Sequence, residues 1–457
     1  MVGWGSGLAI EERQVTRMNG VVTSEIEALI KRRAVGYSLE APFYTAQEIF
    51  ELDVEAIFAK HWLFSAVEAE IPEPGDYVTV DVGPHSVVIV RDDDENIRAF
   101  RNVCRHRGSR LLDSPCGSVG NIVCPYHQWT YGVDGSLMFA ESQPPTFDRE
   151  QFGLKSVNVR AVGGLIFICL VDDAPADFDE VAEFFEPYLS HYDLLNTKVA
   201  HQIDLIEEGN WKLVMENNRE CHHCDGAHPE LVTAYFPLFG YSENDITPRL
   251  RPVFERYQAA ALHLDEASKI TQFPREERRE LVGRPTGFQL SHLPLDGAGA
   301  SFGADGESVC AKRMGTIPDV RFGDLSLHMQ PNSWFHFLSD HAVVFRVLPL
   351  GPDRSIVRTT WLVPTDAVEG VDYDVEALTE TWRSTNDQDR VLVAGTQNGV
   401  TNPGYEPGPY SMVEDDVEAF VVWYIERLGA HIETSRTGVW SVAEGVRHGL
   451  EREHSGA

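Results

Sequence analysis

Two short motifs limit what this chain can fold into. "CRHRG" (104–108) and "CPYHQW" (124–129) each carry one cysteine and one histidine, as C-x-H and C-x-x-H, with 17 residues between His106 and Cys124. Two thiolates and two imidazoles suit a four-coordinate zinc ion or a [2Fe–2S] cluster whose histidines share one iron. Spacing alone leaves both open. Either group needs the two segments side by side, and the flanking residues allow it. "DYVTVDVG", "SVVIVRD" and "IRAFRNVC" are β-rich runs punctuated by Gly, Pro and Asp, so each motif falls on a loop where two hairpin tips can grip one centre. Residues 46–170 therefore read as an all-β domain. It is entered through "TAQEIFELDVEAIFAKHW", where Phe50, Val54, Ile57 and Phe58 recur at helical spacing behind a Thr45/Glu48 capping box. A second box, Ser24 and Glu27, opens a short helix in "SEIEALIKRR".

A second cluster, "ECHHCDGAH" (220–228), holds three histidines, two cysteines and two carboxylates in nine positions. Iron that activates oxygen takes two histidines and one carboxylate on one face and keeps other positions open. On a helix Glu220 and His223 share a face while His222 points elsewhere. His223 and His228, five residues apart, cannot share a face of a straight helix, so the helix bends or ends between them, with Gly226 as the breaking point. Periodicity leaves His222 open as a rival ligand. Cys221 and Cys224 form a C-x-x-C, which elsewhere is a redox or zinc pair, but no second pair lies close by. Far downstream, "ALTETWRSTNDQDRVLVAGTQ" (377–397) reads as a helix whose Leu378, Trp382, Thr385, Asp389 and Leu392 follow one inward stripe. Asp387 lies about 200° around that helix from Asp389. A carboxylate facing inward is paired, hydrogen-bonded or bound to metal. That makes Asp389 the candidate third ligand, with Asp225 its rival.

The 38 basic and 71 acidic residues give a net charge of −33, a field that repels nucleic-acid phosphates and anionic membrane surfaces. The longest apolar run, "AVGGLIFICLV" (161–171), has 11 residues, too few to span a bilayer, and reads as a buried strand. The opening "MVGWGSGLAIEERQ" lacks the basic-then-apolar order of a signal peptide. Seven scattered cysteines do not read as a disulfide framework, which suits a reducing cytoplasm. The acidic stretch "DDAPADFDE" (172–180) marks a boundary. Beyond it, strands such as "SIVRTTWLVP" mix with helices. Residues 255–290 read as charged and helical, either a solvated insertion or a lid over a pocket, and the last 25 or so residues as weakly structured. No G-x-G-x-x-G dinucleotide fingerprint is present.

"CRHRG…CPYHQWTY" and "NWKLVMENNRECHHCDGAHPEL" (210–231) together resemble the cluster motif and the catalytic signature of the Rieske non-haem iron oxygenases. The likeness extends over nearly the whole chain. It implies an α+β protein: an all-β Rieske [2Fe–2S] domain (46–170), and a helix-grip-like catalytic domain (171–457) with an antiparallel sheet and surrounding helices. Residues 1–45 would pack on the catalytic domain. By the same likeness Cys104 and Cys124 hold one cluster iron and His106 and His127 the other. His223, His228 and Asp389 hold a mononuclear Fe(II), and His222 stands where relatives often carry tyrosine. Glu220, otherwise an ordinary surface or N-cap glutamate, becomes the bridge from His223 to a cluster histidine of the next subunit in a homotrimer. Oxygen is the co-substrate, and electrons come from NAD(P)H through a separate flavin/iron–sulfur reductase.

"NWKLVMENNREC", "TNDQDRVLVAGTQNGV" and "YEPGPYS" further resemble the members of that family that demethylate glycine betaine and proline betaine. The implied small-molecule substrate is a quaternary ammonium compound, whose N-methyl group is hydroxylated and leaves as formaldehyde. Such cations bind aromatic faces. "PNSWFHFLSDH" (331–341) offers Trp334, Phe335 and Phe337 as pocket candidates, although alternating aromatics on a strand also suit a core. His328, His336 and His341 read as packing or hydrogen-bonded residues. Two other classes stand beside this one. The same machinery can act on an aromatic ring or another C–H bond, or the chain can be a non-enzymatic electron-transfer protein in which the 220–228 and 389 groups are idle.

Overall fold

The computed structural model describes residues 24–238, 241 and 243–450, with side chains to residue 435 (that of residue 245 excepted). The segment 1–23 and the last seven residues lie outside the described residues, as does the stretch on which the signal-peptide reading rests. Helix α1 (24–32) forms as expected. It is followed by α2 (Pro42–Thr45), α3 (Gln47–Asp53) and a π-helical turn, Val54–Phe58. The Thr45/Glu48 box does not cap α3. Its N-cap is Ala46, and the Thr45 hydroxyl bonds back to the Ala41 carbonyl at 2.9 Å. Ser, Thr and Asn side chains often satisfy a nearby carbonyl in this way instead of capping the next helix.

The apolar stripe of this segment does bury itself. Ile49, Ile57 and Phe58 join a core with Trp211, Phe420 and Tyr424, and Phe58 meets Trp211 edge-on at 4.9 Å between centroids. Asp53 stands at the centre of that core, fully buried. It accepts hydrogen bonds from Trp211 Nε1 (2.9 Å) and Tyr424 Oη (2.7 Å) and pairs with Lys212, which is also fully buried.

Ten short strands follow: β1 (Leu63–Val67), β2 (Asp76–Val82), β3 (His85–Arg91), β4 (Ile97–Arg101), β5 (Cys116–Ser118), β6 (Ile122–Val123), β7 (Thr130–Tyr131), β8 (Leu137–Phe139), β9 (Asn158–Val162) and β10 (Leu165–Cys169). They make three antiparallel sheets, ordered β4-β3-β2-β5, β6-β7-β8 and β1-β10-β9. The apolar run at 161–171, expected as one buried strand, is the end of β9, the Gly163–Gly164 turn and β10, and every residue of β10 is buried.

After α4 (Phe178–Tyr192) and β11 (Thr197–Glu207) come α5 (Trp211–Asn218), the single turn α6 (Cys224–Ala227) and α7 (Arg251–Thr271). Then follow β12 (Arg278–Glu280), β13 (Phe288–Leu293), β14 (Asp324–Met329), β15 (Ser333–Phe337), β16 (Ala342–Gly351) and β17 (Arg354–Pro364), with α8 (Val375–Val400) and α9 (Asp415–Leu450) closing the chain. The seven strands form one antiparallel sheet in the order β11-β17-β16-β15-β14-β13-β12. Its two faces enter different cores. Phe335, Phe337, Leu325 and Leu327 pack with Phe64, Phe167 and α4. Trp334, Phe345 and Trp361 pack with α5, α8 and α9.

Two expectations change here. Residues 255–290 are not helical throughout, because α7 ends at Thr271 with Gln272 in the left-handed region (φ 57°) and "RRE" forms the edge strand β12. The C-terminal stretch is not weakly structured in its backbone, since α9 continues to Leu450. No helix among the described residues is long and apolar enough to cross a membrane.

Burial also sets an acid limit. His61 and His292 are both held neutral, with burial pushing each down to about 4. His292 Nε2 hydrogen-bonds to the Phe322 carbonyl at 2.7 Å inside an aromatic cage. The unfolded chain takes up these protons near pH 6.5 and the folded one does not. Stability is therefore full above that value and declines as the pH falls toward 4. A melt at pH 5 is expected to run below one at pH 7, and His292→Gln, which cannot titrate, should narrow the gap.

Candidate active site

The two motif loops are built alike. In the first, the amide of Gly108 bonds to the Cys104 carbonyl at 3.1 Å and the amide of Cys104 to the Ser109 carbonyl at 2.8 Å. In the second, Gln128 and Trp129 repeat both bonds around Cys124 at 3.1 and 2.8 Å. Each loop turns through a positive φ at the same place, Gly108 (77°) and Gln128 (57°). The turns bury the Cys104 and Cys124 thiols and leave His106 exposed and His127 half-buried. The two imidazoles lie 4.6 Å apart, and His106 stacks on Trp129. The Tyr131 hydroxyl reaches Cys104 Sγ at 3.3 Å. His127 Nδ1 is buried with no hydrogen-bond partner. Two buried thiols beneath two close imidazoles, one with a sequestered nitrogen, fit a [2Fe–2S] cluster with mixed ligands.

The second constellation also comes together. Helix α5 ends at Asn218, and His223 caps the single turn α6, with His228 directly after it. The helix has therefore ended before either histidine, and Gly226, expected as its breaking point, lies inside the separate turn α6 between them. Asp389 arrives from α8. Its Oδ1 is 3.4 Å from His223 Nε2 and 3.1 Å from His228 Nε2. Glu220 Oε1 holds His223 Nδ1 at 2.6 Å, and Gln388 Oε1 holds His228 Nδ1 at 2.8 Å. Gln388 is fixed in turn by Glu230 at 2.7 Å, and Asn217 donates to Asp389 Oδ1 at 2.7 Å. Outer contacts of this kind set which imidazole nitrogen faces a metal.

The electrostatics point the same way. Burial opposes charge on His223, but hydrogen bonds to Asp389 and Glu220 outweigh it and push the ring up to about 9. His228 is raised and Asp389 lowered, again against burial and through their mutual contacts. The carboxylates thus favour positive charge at this point, which is where a divalent cation fits. The rivals fall away: His222 and Asp387 are exposed, and Asp225 pairs with Arg249. Cys221 and Cys224 form a disulfide, contrary to the expectation of unpaired cysteines. Three residues' separation at a helical turn brings their Cα atoms within 5.0 Å. Cys224 Sγ lies within 4.8 Å of ligand nitrogens on His223 and His228, but a disulfide sulfur is no thiolate and a poor metal ligand.

A cavity of about 500 Å³ opens beside this triad, walled by Leu231, Tyr235, His328, His336, Trp382 and Thr385. The aromatic candidates require correction. Phe335 and Phe337 lie on the far face of β15, stacked on each other and packed against Phe64 and Tyr192. Trp334 shares the near face but stacks on Phe345 at 4.7 Å and does not reach the cavity. The near-face residues that do reach it are His336 and His328, expected as packing or hydrogen-bonded residues: His336 is hydrogen-bonded to Asp324 at 2.7 Å, and both also line the cavity. Their signal was the alternation of "SWFHF" opposite "DLSLHM", in which Ser326 pairs with His336 and His328 with Trp334. His341 is hydrogen-bonded to Asp340 at 2.8 Å, as expected.

Known proteins match the chain along both parts. Residues 61–157 match the family model of the Rieske [2Fe-2S] domain and residues 194–430 that of the ring hydroxylating alpha subunit, catalytic domain. The glycine betaine monooxygenase oxygenase subunit of Chromohalobacter salexigens is 42% identical over 410 residues, 89% of each chain. Its Pseudomonas aeruginosa counterpart is 42% identical over 88% of this chain and 91% of that one. The carnitine monooxygenase oxygenase subunit of Escherichia coli is 35% identical over 42% of this chain and 52% of its own. In fold the chain is similar to the quaternary ammonium Rieske monooxygenase CntA (TM-score 0.64, 23% identity, 88% of this chain and 98% of that one). It is also similar in fold to naphthalene 1,2-dioxygenase (TM-score 0.61, 20% identity, 86% and 93%).

Proposed function

The chain belongs to the Rieske oxygenases, as an oxygenase alpha subunit with a Rieske domain and a catalytic domain, and we propose that it is a monooxygenase of quaternary ammonium N-methyl groups. The substrate is a betaine. One methyl carbon is hydroxylated, and the product sheds formaldehyde. What carries this reading is the likeness to glycine betaine monooxygenase oxygenase subunits at 42% identity along 89% of both chains. A site with two histidines and one carboxylate beside a small, partly aromatic cavity supports it.

Cys104, Cys124, His106 and His127 hold the Rieske cluster, and His223, His228 and Asp389 hold the mononuclear iron. When bound, the cluster relays single electrons and the iron provides the centre for oxygen chemistry. The protein's own groups prepare that centre. Glu220 and Gln388 occupy the Nδ1 atoms and so present both Nε2 atoms inward. Leu231, Tyr235 and Trp382 limit water at the cavity wall. Glu220 accepts from a cluster histidine of a neighbouring subunit in a homotrimer, a role its partly exposed side chain beside His223 supports. Electrons come from NAD(P)H through a separate flavin/iron–sulfur reductase, in the cytoplasm. The Rieske domain covers 46–170, with its strands following the helical stretch 47–58, and the catalytic domain covers 171–457.

The test is formaldehyde release by the iron-loaded protein with NADH and a surrogate reductase. Glycine betaine or proline betaine should yield formaldehyde in proportion to NADH consumed. A protein with both metal centres filled that oxidises an aromatic ring and demethylates neither betaine would overturn the proposal.

A further inference from the structure

His336 is the polar wall residue whose placement calls for a ligand. Its Nδ1 is held at 2.7 Å by Oδ2 of Asp324, a fully buried carboxylate whose other oxygen has no partner. Its Nε2 makes no hydrogen bond within the described residues, and the ring lines the cavity beside the candidate iron site. The ring is clamped in orientation by stacking on Trp382, 4.6 Å between centroids and 25° between planes. Trp382 and Asp389 lie seven residues apart on one face of α8, and both line the cavity. Seven residues of helix span about 10 Å. His336 therefore stands about that far along α8 from the metal-ligand triad, with open space between.

A buried carboxylate is tolerated where a cation faces it. An anionic oxygen at Nε2 would place the ring between two carboxylates, an arrangement completed when a second proton arrives with the ligand and both ring nitrogens donate. We infer that His336, oriented by Asp324, binds the carboxylate of the substrate and so sets its N-methyl groups toward His223, His228 and Asp389. His336 then separates a betaine from a quaternary ammonium alcohol with the same head group. This inference rests on the betaine reading above.

The experiment compares glycine betaine with choline, which carries a hydroxyl in place of the carboxylate. KM and kcat would be measured for the iron-loaded enzyme, and Kd by calorimetry, in the wild type, His336→Leu, His336→Gln and Asp324→Asn. His336→Leu should raise KM and Kd for glycine betaine about tenfold or more, change kcat by less than about threefold and leave the choline constants in place. The near-isosteric His336→Gln should restore part of the loss, and Asp324→Asn should weaken betaine binding in the same direction. Circular dichroism and the Rieske EPR signal check that each variant is folded. Equal changes for both ligands, or none for either, would overturn the role of His336 and leave the betaine reading intact. A wild type that neither binds nor turns over glycine betaine would overturn both.

Discussion

Asp389→Ala is expected to cut formaldehyde release by about three orders of magnitude or more, since a metal-dependent step has no substitute when its metal is lost. Asp389 contributes the one oxygen toward which both His223 Nε2 and His228 Nε2 point. Without it two neutral imidazoles remain, with no anionic donor to offset a divalent charge. Iron should fall from about three per chain to about two, with the Rieske EPR signal unchanged, because the cluster ligands lie on other loops. Asp387→Ala serves as the control. That carboxylate is exposed and pairs only with Arg390, at 3.2 Å, and its loss should leave iron content and turnover in place. Retention of the third iron and of activity in Asp389→Ala would remove the residue from the site. If this chain were a carrier of electrons alone, neither variant would change its metal content.

Asp53→Leu should destabilise the fold by about 3–5 kcal/mol, measured as the shift in the denaturant midpoint. Among the described residues Asp53 is the only hydrogen-bond acceptor of Lys212 Nζ, and it also receives Trp211 Nε1 and Tyr424 Oη. Removing it strands an ammonium and two further donors in the core. Burial already holds Lys212 below its ordinary pKa, and Asp53 offsets part of that. In the variant the folded-state pKa falls further, so the unfolded chain binds the extra proton and stability rises with pH. The double variant Asp53→Leu/Lys212→Met should recover much of the loss, because an apolar pair of similar volume replaces an ion pair at little cost. A single variant as stable as the wild type would show that the node is dispensable.

Most of the geometry of the two candidate metal sites was legible because its information is local. Each cluster loop carries its ligands within four residues, and loops of one construction follow from motifs of one construction. Asp389 was recoverable because a helix of 26 residues keeps its phase, so an inward stripe can be followed to its carboxylate. The pocket wall was not legible. Which side of "SWFHF" meets the site depends on the register of β15 against β14 and β16, set by residues outside that stretch, and a shift by one residue exchanges the two faces. The sequence shows the alternation, but the facing direction is a property of the assembled sheet. The same holds for Thr45, whose hydroxyl could accept from a helix amide or donate to the Ala41 carbonyl, and for Cys221 and Cys224, whose meeting depends on the turn after α5.

The β14–β15 hairpin thus carries two interleaved texts. Odd positions from Leu325 to Phe337 spell one hydrophobic interior, and among the even positions His328 and His336 spell the wall of the cavity. Substitutions at 328 or 336 can redraw what the cavity accepts while the residues that hold the sheet to its other core stay as they are. Divergence toward a new substrate can proceed on this ribbon in steps of two residues, with little of the stability toll that usually slows the evolution of specificity.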